Sequence, residues 1–260
     1  MFEATSSEPK GFVWLVGAGP GAVDLITVRG LRLLQAAEVV VYDDLINRDL
    51  LQACGAGCEL HPVGKRCGQH SAQQEHIIEL LLTHAQAGRR VVRLKGGDPF
   101  IFGRGGEELT ALLRAGISCE VVPGVTAAAS AGAAAGVPLT HRDFSSAVVF
   151  LTGHENPAKP ESAIDWAAYA QLRATLCIYM GTRRLAGIAE QLIAGGMAID
   201  MPVAVVSRVS WADQQIEFST LAEIQGAIGA EIAAPALVII GDVARVPAQT
   251  RELAAVATAN

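Results

Sequence analysis

Residues 93–108 have the residue types of a site for a charged ligand. A strand-like run ends at Leu94, and five glycines follow within the segment, interleaved with basic and acidic side chains. Glycine tolerates positive φ and lets a ligand approach the bare backbone. Because open α/β sheets bind ligands at the carboxyl ends of their strands, the segment predicts a binding site. Residues 96–99 alone could be an ordinary turn, but the whole segment favours a site.

A second glycine loop predicts a different chemistry. Residues 17–22 read Gly-Ala-Gly-Pro-Gly-Ala directly after an apolar run, which matches the dinucleotide-binding fingerprint. Asp43 and Asp44 follow the next apolar run, where a ribose-binding acid would stand. These residues indicate a nicotinamide-dependent oxidoreductase as an alternative function.

The position of the next helix weakens that alternative. A dinucleotide-binding helix begins inside its glycine loop and aims its N-terminus at the pyrophosphate. Here the helical period starts later, near Leu25, with Asp24 or Thr27 as its cap. Pro20 and Gly21 favour a broad turn instead of a helix start.

The cysteines and histidines do not form a clear metal-binding pattern. Five cysteines are scattered through the chain, and none belongs to a Cys-x-x-Cys pair. Cys54, Cys58, His61 and His70 could be combined into a zinc-binding set, but residues 55–57 look like a turn and no second closely spaced pair completes it. We therefore predict no metal site, and reduced thiols in a cytoplasmic protein.

The composition restricts the class of protein. The chain has 260 residues, 51% hydrophobic and 18% charged, so it can bury a substantial core. A formal net charge of −6 argues against a nucleic-acid partner, although a local basic cluster could still bind an anionic substrate. Residues 121–140 carry no charge, but their glycines, prolines and alanines predict a packed helix rather than a membrane span. The polar N-terminus lacks a secretory signal, so we expect no membrane partner.

Short β-branched runs alternate with longer helical patterns along the chain. This alternation predicts an α/β fold with a largely parallel sheet. A boundary between about 125 and 143 gives an N-terminal domain at 10–130, a C-terminal domain at 140–247 and a tail at 248–260. The predicted strands are 12–16, 38–42, 91–94, 117–122, 147–151, 175–179, 202–206 and 236–240.

Three local signals mark helix ends. Ser71 and Gln74 have the spacing of a capping box, and so do Thr220 and Glu223. Gly88 is predicted as the C′ residue that ends the helix following Ser71.

One ordered set of motifs extends over nearly the whole chain. The motifs stand at residues 16–21, 63–66, 70–71, 93–108, 123–126, 136–142, 152–154 and 179–181. In this order they resemble the tetrapyrrole methylase family, and within it the uroporphyrinogen-III C-methyltransferases. The resemblance covers about residues 12–246, and the set is far more specific than any one motif.

This resemblance implies the architecture, the reaction and the assembly. The architecture would be two α/β domains of the tetrapyrrole methylase type, with the active site in the inter-domain cleft, in a homodimer. The reaction would transfer methyl groups from S-adenosylmethionine to C2 and C7 of uroporphyrinogen III, giving precorrin-2 through precorrin-1 and S-adenosylhomocysteine. The product could feed siroheme, cobalamin or heme d1. Without the long N-terminal extension of fused members, a stand-alone methylase is expected. A non-catalytic tetrapyrrole-binding protein is a further alternative.

The resemblance also implies roles for individual residues. Arg104, Glu107 and Arg142 would contact the tetrapyrrole, and Asp43 and Lys65 would handle protons. The catalytic set would be Asp43, Lys65, Arg104 and Glu107. The cofactor contacts would be Pro20, Gly96, Gly97, Asp98, Ile101, Thr126, Ala127, Met180, Val209 and Ala236.

The residue types fit these roles, although several have a simpler interpretation. Arginine binds carboxylates through a planar fork, which suits Arg104 and Arg142 to an acid-rich macrocycle. Glu107 could accept pyrrole N–H groups or could pair with Arg104 three residues earlier. Asp43 could be the general base that removes a ring proton, or it could cap a helix. Lys65 could protonate the macrocycle or bind a carboxylate.

Overall fold

The computed structural model describes residues 11–64, 70–154, 164–226 and 232–247, with the side chains of 70–73 excepted. Backbone contacts divide the chain into two compact units, Met1–Thr126 and Ala127–Asn260. Each unit contains a five-stranded sheet. Lys65 and the predicted tail at 248–260 lie outside the described residues.

The first unit is built on a parallel sheet. Its strands are β1 (Phe12–Gly17), β2 (Val39–Tyr42), β3 (Glu59–Pro62), β4 (Arg90–Lys95) and β5 (Ser118–Val122), in the order β3-β2-β4-β1-β5. Each pairing is parallel, so the five carboxyl ends lie at the same edge of the sheet. That edge is where such sheets bind ligands.

Helices cover both faces of this sheet. They are α1 (Val28–Ala36), α2 (His70–Gln86) and α3 (Gly105–Arg114), with 3-10 turns at Val23–Leu25 and Arg48–Ala53. Val16 of β1 packs in one core cluster with Leu34 of α1. Leu15 packs in another with Leu81 of α2 and Leu112 of α3. Burial on both faces explains why these strands appear in the sequence as continuous apolar runs.

The start of α1 weakens the dinucleotide-binding alternative. The N–H of Gly30 donates to Thr27 Oγ1 at 3.0 Å, so Thr27 is the N-cap. The helix therefore begins at Val28, beyond the glycine loop at 17–22. No helix N-terminus is aimed from within that loop, which removes the main physical basis for pyrophosphate binding there.

The helix-end signals had mixed outcomes. Gly88 follows α2 with φ +77°, as predicted for a C′ glycine. The capping box at Ser71 depends on a side chain outside the described residues; α2 already includes His70, and the Gln74 amide donates to Glu108. The second capping box is confirmed: Thr220 N–H donates to Glu223 Oε2 at 3.0 Å, and Glu223 N–H to Thr220 Oγ1 at 3.3 Å.

The second unit has a mixed sheet. Its strands are β6 (Val148–Thr152), β7 (Thr175–Tyr179), β8 (Pro202–Ser207), β9 (Gln215–Thr220) and β10 (Ala236–Ile240), in the order β6-β7-β10-β8-β9. Only the pairing of β6 with β7 is parallel. The α/β fold class is confirmed, but the expectation of a largely parallel sheet fails in this unit. The connection from β8 to β9 is short, which permits an antiparallel hairpin but no crossover helix.

Helices complete the second unit. They are α4 (Ala127–Ala135), α5 (Trp166–Ala170), α6 (Leu185–Ala194) and α7 (Leu221–Gly226), with 3-10 turns at Thr182–Arg184 and Asp242–Arg245. The alanine-rich α4 is the packed helix predicted within residues 121–140, and Ala128 and Ala131 are fully buried. Among the described residues, no helix has the length and apolar character required to cross a bilayer.

Candidate functional site

The two glycine loops meet at the carboxyl-end edge of the first sheet. The N–H of Gly97 donates to the carbonyl of Gly19 at 2.7 Å, and the N–H of Gly19 donates to the carbonyl of Gly97 at 3.2 Å. Beside them, Ala18 N–H donates to the Lys95 carbonyl at 2.8 Å. The bends after β1 and β4 therefore form one backbone structure. We call it the glycine junction, comprising residues 17–19, 96–97 and 124.

Close backbone contacts explain the glycines at this junction. A Cβ atom on Gly124 would overlap the carbonyl oxygen of Gly97, and one on Gly17 would lie 2.6 Å from the Cα of Gly124. Gly97 has φ +67°, which side-chain-bearing residues rarely adopt. The three strand ends can approach one another this closely only because their loops carry no side chains at these positions.

Asp98 ties two loops of the junction together. Its Oδ1 accepts a hydrogen bond from Phe100 N–H at 2.8 Å, and its Oδ2 accepts one from Gly124 N–H at 3.0 Å. The carboxylate thus links the loop after β4 to the loop after β5. Its contact with the cofactor stays a prediction. In the structure, its two hydrogen bonds hold the two loops together.

The remaining predicted cofactor residues of the first unit stand on the same loops. Pro20 and Gly96 adjoin the two bridged glycines, and Thr126 follows Gly124 by two residues. Ile101 lies further along the loop between β4 and α3. Each is partly exposed. Pro20, Gly96 and Thr126 therefore lie beside the junction, whereas Ile101 stands four residues beyond Gly97.

Arg104 and Glu107 form a two-pronged ion pair. Arg104 Nε lies 2.8 Å from Glu107 Oε1, and Arg104 Nη2 lies 2.7 Å from Glu107 Oε2. These hydrogen bonds are the largest cause of a lowered pKa of Glu107. The intrahelical pair that the sequence allowed is therefore present, with side chains 44% and 54% exposed. Each carboxylate oxygen keeps a second lone pair, so a contact with pyrrole N–H groups stays chemically open.

Asp43 stands at the carboxyl end of β2 and is held from two sides. Its Oδ1 accepts a hydrogen bond from Leu45 N–H at 3.1 Å, and its Oδ2 lies 3.4 Å from Arg93 Nη2. The side chain is 25% exposed. One oxygen of Asp43 thus stabilises a turn, and the other contacts the Arg93 guanidinium. Asp43 does not cap a helix, which was the simpler interpretation of the sequence.

A buried charge network lies behind Asp43. Glu108 is fully buried, and its Oε1 accepts from Lys95 Nζ at 3.0 Å, from Arg93 Nε at 3.2 Å and from Gln74 Nε2 at 3.2 Å. Burial is the largest cause of a lowered pKa of Lys95, and the charge of Arg93 adds to it while Glu108 opposes it. Arg93 connects this network to Asp43. We call Arg93, Lys95, Glu108 and Gln74 the buried charge network.

The predicted residues of the second unit lie at one edge of its sheet. Met180 directly follows β7, and Val209 follows β8 by two residues. Because β10 runs antiparallel to both strands, its first residue, Ala236, pairs with Ser207 at this same edge. Val209 is only 7% exposed and packs in the hydrophobic core, whereas Met180 is 52% exposed. The Val209 side chain therefore serves the core.

Tyr179 connects this edge to the start of α4. The N–H of Ala128 donates to Tyr179 Oη at 3.1 Å, which places Ala127 near the end of β7. Arg142 stands in an exposed turn closed by a hydrogen bond of 2.8 Å from His141 N–H to the Ser145 carbonyl. Ala127 thus belongs with Met180, whereas Arg142 stands on a separate loop of the unit.

Strained backbone occurs at several of these positions. Among the described residues other than glycine, positive φ is adopted by Phe102 (52°), Arg104 (58°), Met180 (54°), Arg208 (46°) and Ser210 (63°). Such conformations cost about 1–3 kcal/mol each and cluster at functional sites. Two of the five are predicted site residues, two flank Val209, and Phe102 lies next to Ile101. The strain supports the choice of these loops as functional.

A family comparison decides what this arrangement belongs to. Residues 13–225 match the family model of the Tetrapyrrole (Corrin/Porphyrin) Methylases. The chain belongs to the tetrapyrrole methylases. This tetrapyrrole methylase is also 52% identical over 234 residues to siroheme synthase 1 of Pectobacterium atrosepticum, which is 90% of this chain but 48% of that protein. The chain thus spans about half the length of the curated relatives that it matches.

Solved structures resemble this tetrapyrrole methylase over most of its length. A uroporphyrin-III C-methyl transferase from Thermus thermophilus, complexed with S-adenyl homocysteine, is 40% identical with a TM-score of 0.77, over 91% of this chain and 94% of that one. A cobalamin biosynthetic enzyme, cobalt precorrin-4 methyltransferase, is 32% identical with a TM-score of 0.80, over 90% and 95% of the two chains.

Sequence reasoning missed the buried charge network of this tetrapyrrole methylase. Arg93, Lys95 and Glu108 were noted only as charges in a glycine-rich segment, and Gln74 was assigned to a helix cap. One signal was available: Arg93 and Lys95 are charged residues beside the apolar Val91, Val92 and Leu94 of β4. Charges in a buried strand require a partner, and the acids that follow next in sequence are Asp98, Glu107 and Glu108.

The described thiols of this tetrapyrrole methylase are expected to be unreactive. Burial raises the pKa of Cys177 to about 12, and burial followed by the charges of Glu108 and Glu120 raises the pKa of Cys119 to about 12. Alkylation of both by iodoacetamide at pH 8 should be about 1000-fold slower than that of a free thiol. Peptide mass spectrometry of the folded protein, with urea-unfolded protein as the control, measures this. Labelling of Cys177 at the rate of the unfolded control would contradict it.

Proposed function

We propose that this chain is a uroporphyrinogen-III C-methyltransferase. It transfers methyl groups from S-adenosylmethionine to C2 and C7 of uroporphyrinogen III, giving precorrin-2 through precorrin-1. The observation that carries the proposal is the glycine junction, in a chain 40% identical over 91% of its length to a uroporphyrin-III C-methyl transferase that binds S-adenyl homocysteine. Two loops with little room for side chains create a surface that a flat, polar ligand can approach closely.

The residues around the junction fit a nucleoside-bearing cofactor. S-adenosylmethionine supplies an electrophilic methyl group carried on a sulfonium. Pro20, Gly96, Gly97, Ile101 and Thr126 offer partly exposed backbone and small or apolar side chains, which suit a dry pocket. From the second unit we assign Ala127, Met180 and Ala236 to the same cofactor, with Val209 contributing backbone atoms alone. Asp98 holds the loops in place and presents the backbone to the cofactor.

We assign the acid-rich macrocycle to arginines. Arg142 is exposed, and Arg104 keeps a 44% exposed side chain despite its pair with Glu107. Carboxylates of the substrate would compete with Glu107 for the Arg104 guanidinium, since a planar fork binds either partner in two-pronged fashion. Displaced from Arg104, Glu107 could turn to pyrrole N–H donors. Lys65 is assigned a further cationic or proton-donating role on the resemblance alone.

Positioning and proton removal carry the mechanism. Alignment of the ring carbon with the methyl group can lower the barrier by about 7–11 kcal/mol. The methylated ring system must then lose a proton, and Asp43 accepts it. Leu45 N–H and Arg93 fix the two oxygens of Asp43 in position. No covalent nucleophile is required, which agrees with the raised pKa values of Cys119 and Cys177.

Incubation with uroporphyrinogen III and methyl-labelled S-adenosylmethionine tests the proposed function. We expect a product with two added methyl groups by mass spectrometry, and stabilisation by S-adenosylhomocysteine but not by NAD in thermal-shift assays. Stabilisation by NAD without methylation would favour the oxidoreductase. Binding of uroporphyrinogen without methylation would favour the non-catalytic tetrapyrrole-binding protein.

Asp43→Asn is expected to lower kcat by about 100- to 10,000-fold, which is the range of a lost general base. Asparagine can still accept from Leu45 N–H, so the turn should persist and the KM for S-adenosylmethionine should stay unchanged. Single-turnover methylation measures the step directly. Asp49→Asn, at an exposed carboxylate that accepts a hydrogen bond from Gln52 Nε2, is the matched control. Unchanged single-turnover methylation in Asp43→Asn would remove the base assignment.

We further propose a cytoplasmic homodimer that acts without membrane or nucleic acid. The net charge of −6 supports the last point, and the dimer rests on the family resemblance. Light scattering after gel filtration tests the dimer. The 52% identity to a siroheme synthase supports siroheme as the destination of the product, with cobalamin and heme d1 as alternatives.

A further inference from the structure

A group of potential metal ligands lies outside the glycine junction within the first unit. Glu59 and His61 stand two residues apart on β3, and His84 stands in the last turn of α2. The ligand atoms of the three side chains all lie within 4.8 Å of one another. Glu59 and His61 lie on the edge strand β3, which β2 separates from the strands β4 and β1 that lead into the junction.

We propose that Glu59, His61 and His84 bind a divalent transition-metal ion of the zinc class. Two imidazoles and one carboxylate are a common ligand set for zinc, with a fourth position left to water. His61 Nε2 is buried and makes no hydrogen bond among the described residues, although it lies 3.5 Å from Glu59 Oε2. A buried nitrogen without a well-formed hydrogen bond is a costly arrangement, and a metal ion between these atoms would relieve it.

The geometry needs little adjustment to accept an ion. With metal–ligand bonds of about 2.0–2.2 Å, tetrahedral ligand atoms lie roughly 3.3–3.6 Å apart. The His61 and His84 rings already have centroids 4.9 Å apart, tilted by 51°. Glu59 and His61 point to the same side of β3 because side chains two apart on a strand share a face. The ligand atoms already lie within 4.8 Å of one another, so side-chain rotations that move them by about 1 Å would bring them to tetrahedral spacing.

Arg89 is the main opposing feature. Its Nη1 lies 2.5 Å from Glu59 Oε1, and its positive charge disfavours a nearby cation. However, this contact uses one carboxylate oxygen and leaves Oε2 facing His61. A second nitrogen of Arg89 donates to the Glu38 carbonyl at 3.2 Å, so the guanidinium is anchored elsewhere as well. Arg89 therefore orients the carboxylate, as hydrogen-bond donors behind metal ligands commonly do, while it reduces the affinity.

The nearby thiols are not part of the proposed site. Neither Cys54 nor Cys58 belongs to the group of side chains whose ligand atoms all lie within 4.8 Å of one another. Of the zinc set considered from the sequence, the proposed site thus retains only His61.

An ion bound here would join β3, an edge strand, to the end of α2. We expect metal binding to raise the melting temperature of the full chain and to leave methyl transfer unchanged, because the site lies on an edge strand that contributes no residue to the junction. This separation also makes the proposal independent of the proposed function.

Titration of the EDTA-treated full chain with Zn²⁺ by calorimetry, and with Co²⁺ by visible absorption, tests the site. We expect one ion per chain and a Co²⁺ spectrum of low coordination number. His61→Ala and His84→Ala should each weaken Zn²⁺ binding by at least about 10-fold. The controls are His76→Ala, which removes an exposed histidine of the same helix, and Cys58→Ser. Both should bind as the wild type does.

Three results would overturn the proposal. One is the absence of Zn²⁺ binding at micromolar concentrations in the wild type. Another is unchanged affinity in both His61→Ala and His84→Ala. The third is a loss of binding in Cys58→Ser that equals the loss in the histidine variants, which would assign the ion to a thiol site. Circular dichroism of each variant confirms that it is folded before it is titrated.

Discussion

Glu108→Gln is expected to destabilise the first unit by about 3–5 kcal/mol, the usual loss when one partner of a buried ion pair is removed. Glutamine has almost the same shape and keeps an acceptor, so the change removes mainly the negative charge. Lys95 and Arg93 are 4% and 3% exposed and would then be two buried cations without their shared anion. Urea unfolding of the full chain measures the free energy.

Two variants make this expectation sharp. Glu107→Gln changes the adjacent residue, whose exposed pair with Arg104 should contribute at most about 1 kcal/mol. The double variant Lys95→Met with Glu108→Gln should recover part of the loss, because it removes one of the stranded charges. Equal destabilisation by Glu107→Gln and Glu108→Gln would show that the buried charge network contributes nothing special.

The pH dependence of the Glu108→Gln variant follows from Lys95. Burial holds the pKa of Lys95 in the folded protein below its unfolded value. A lysine whose pKa is lower in the folded state destabilises the fold at every pH at which it is protonated in both states. This loss of stability becomes smaller as the pH rises from the folded pKa towards the unfolded pKa. Without the anion of Glu108 the folded pKa should fall further. The stability difference from wild type should therefore shrink in alkaline buffer.

Gly124→Ala is expected to lower kcat/KM for methyl transfer about 100-fold, since a displacement of about 1 Å at a reacting site has an effect of this size. The added Cβ would overlap the carbonyl oxygen of Gly97, which is backbone and cannot rotate away. The loops after β4 and β5 would have to separate, and the hydrogen bond from Gly124 N–H to Asp98 would be distorted. Calorimetry with S-adenosylhomocysteine should show weakened binding.

Gly106→Ala is the matched control. Gly106 lies in the first turn of α3, and a Cβ atom there would meet nothing within 4 Å. Alanine should stabilise this helix by about 0.5–1 kcal/mol and leave methyl transfer unaffected. Wild-type affinity for S-adenosylhomocysteine in Gly124→Ala, with wild-type turnover, would contradict the assignment of the glycine junction to the cofactor.

The buried strands of the fold could be predicted from the sequence because their apolar runs are continuous. Thr175–Tyr179 and Ala236–Ile240 were predicted with the bounds that the structure has. The edge strands β3 and β9 were missed, since their side chains are largely exposed or intermediate and no apolar run marks them. Strand direction was also missed in the second unit, because burial on both faces hides whether a neighbour is parallel.

The location of the candidate site could be predicted from the sequence, but the hydrogen bonds and ion pairs within it could not. Glycines after β1 and β4 pointed to the sheet edge where the structure places them. The pairing of Gly19 with Gly97 joins residues distant in sequence, and spacing carries no information about such a contact. The charges on β4 indicated that Arg93 and Lys95 need an acidic partner, but not that Glu108 binds both. Positive φ at Met180 and Arg104 was equally invisible, since these residue types rarely adopt it.

The bridge between Gly19 and Gly97 consists of amide and carbonyl groups alone. Such groups neither gain nor lose protons in the pH range in which the protein is folded, so a change of pH does not alter the hydrogen bonds of this part of the glycine junction. The affinity for S-adenosylmethionine should accordingly change little with pH near neutrality. A bell-shaped dependence of the rate on pH would then report on the side chains that contact the macrocycle. It would separate the proton-transfer step from the binding of S-adenosylmethionine.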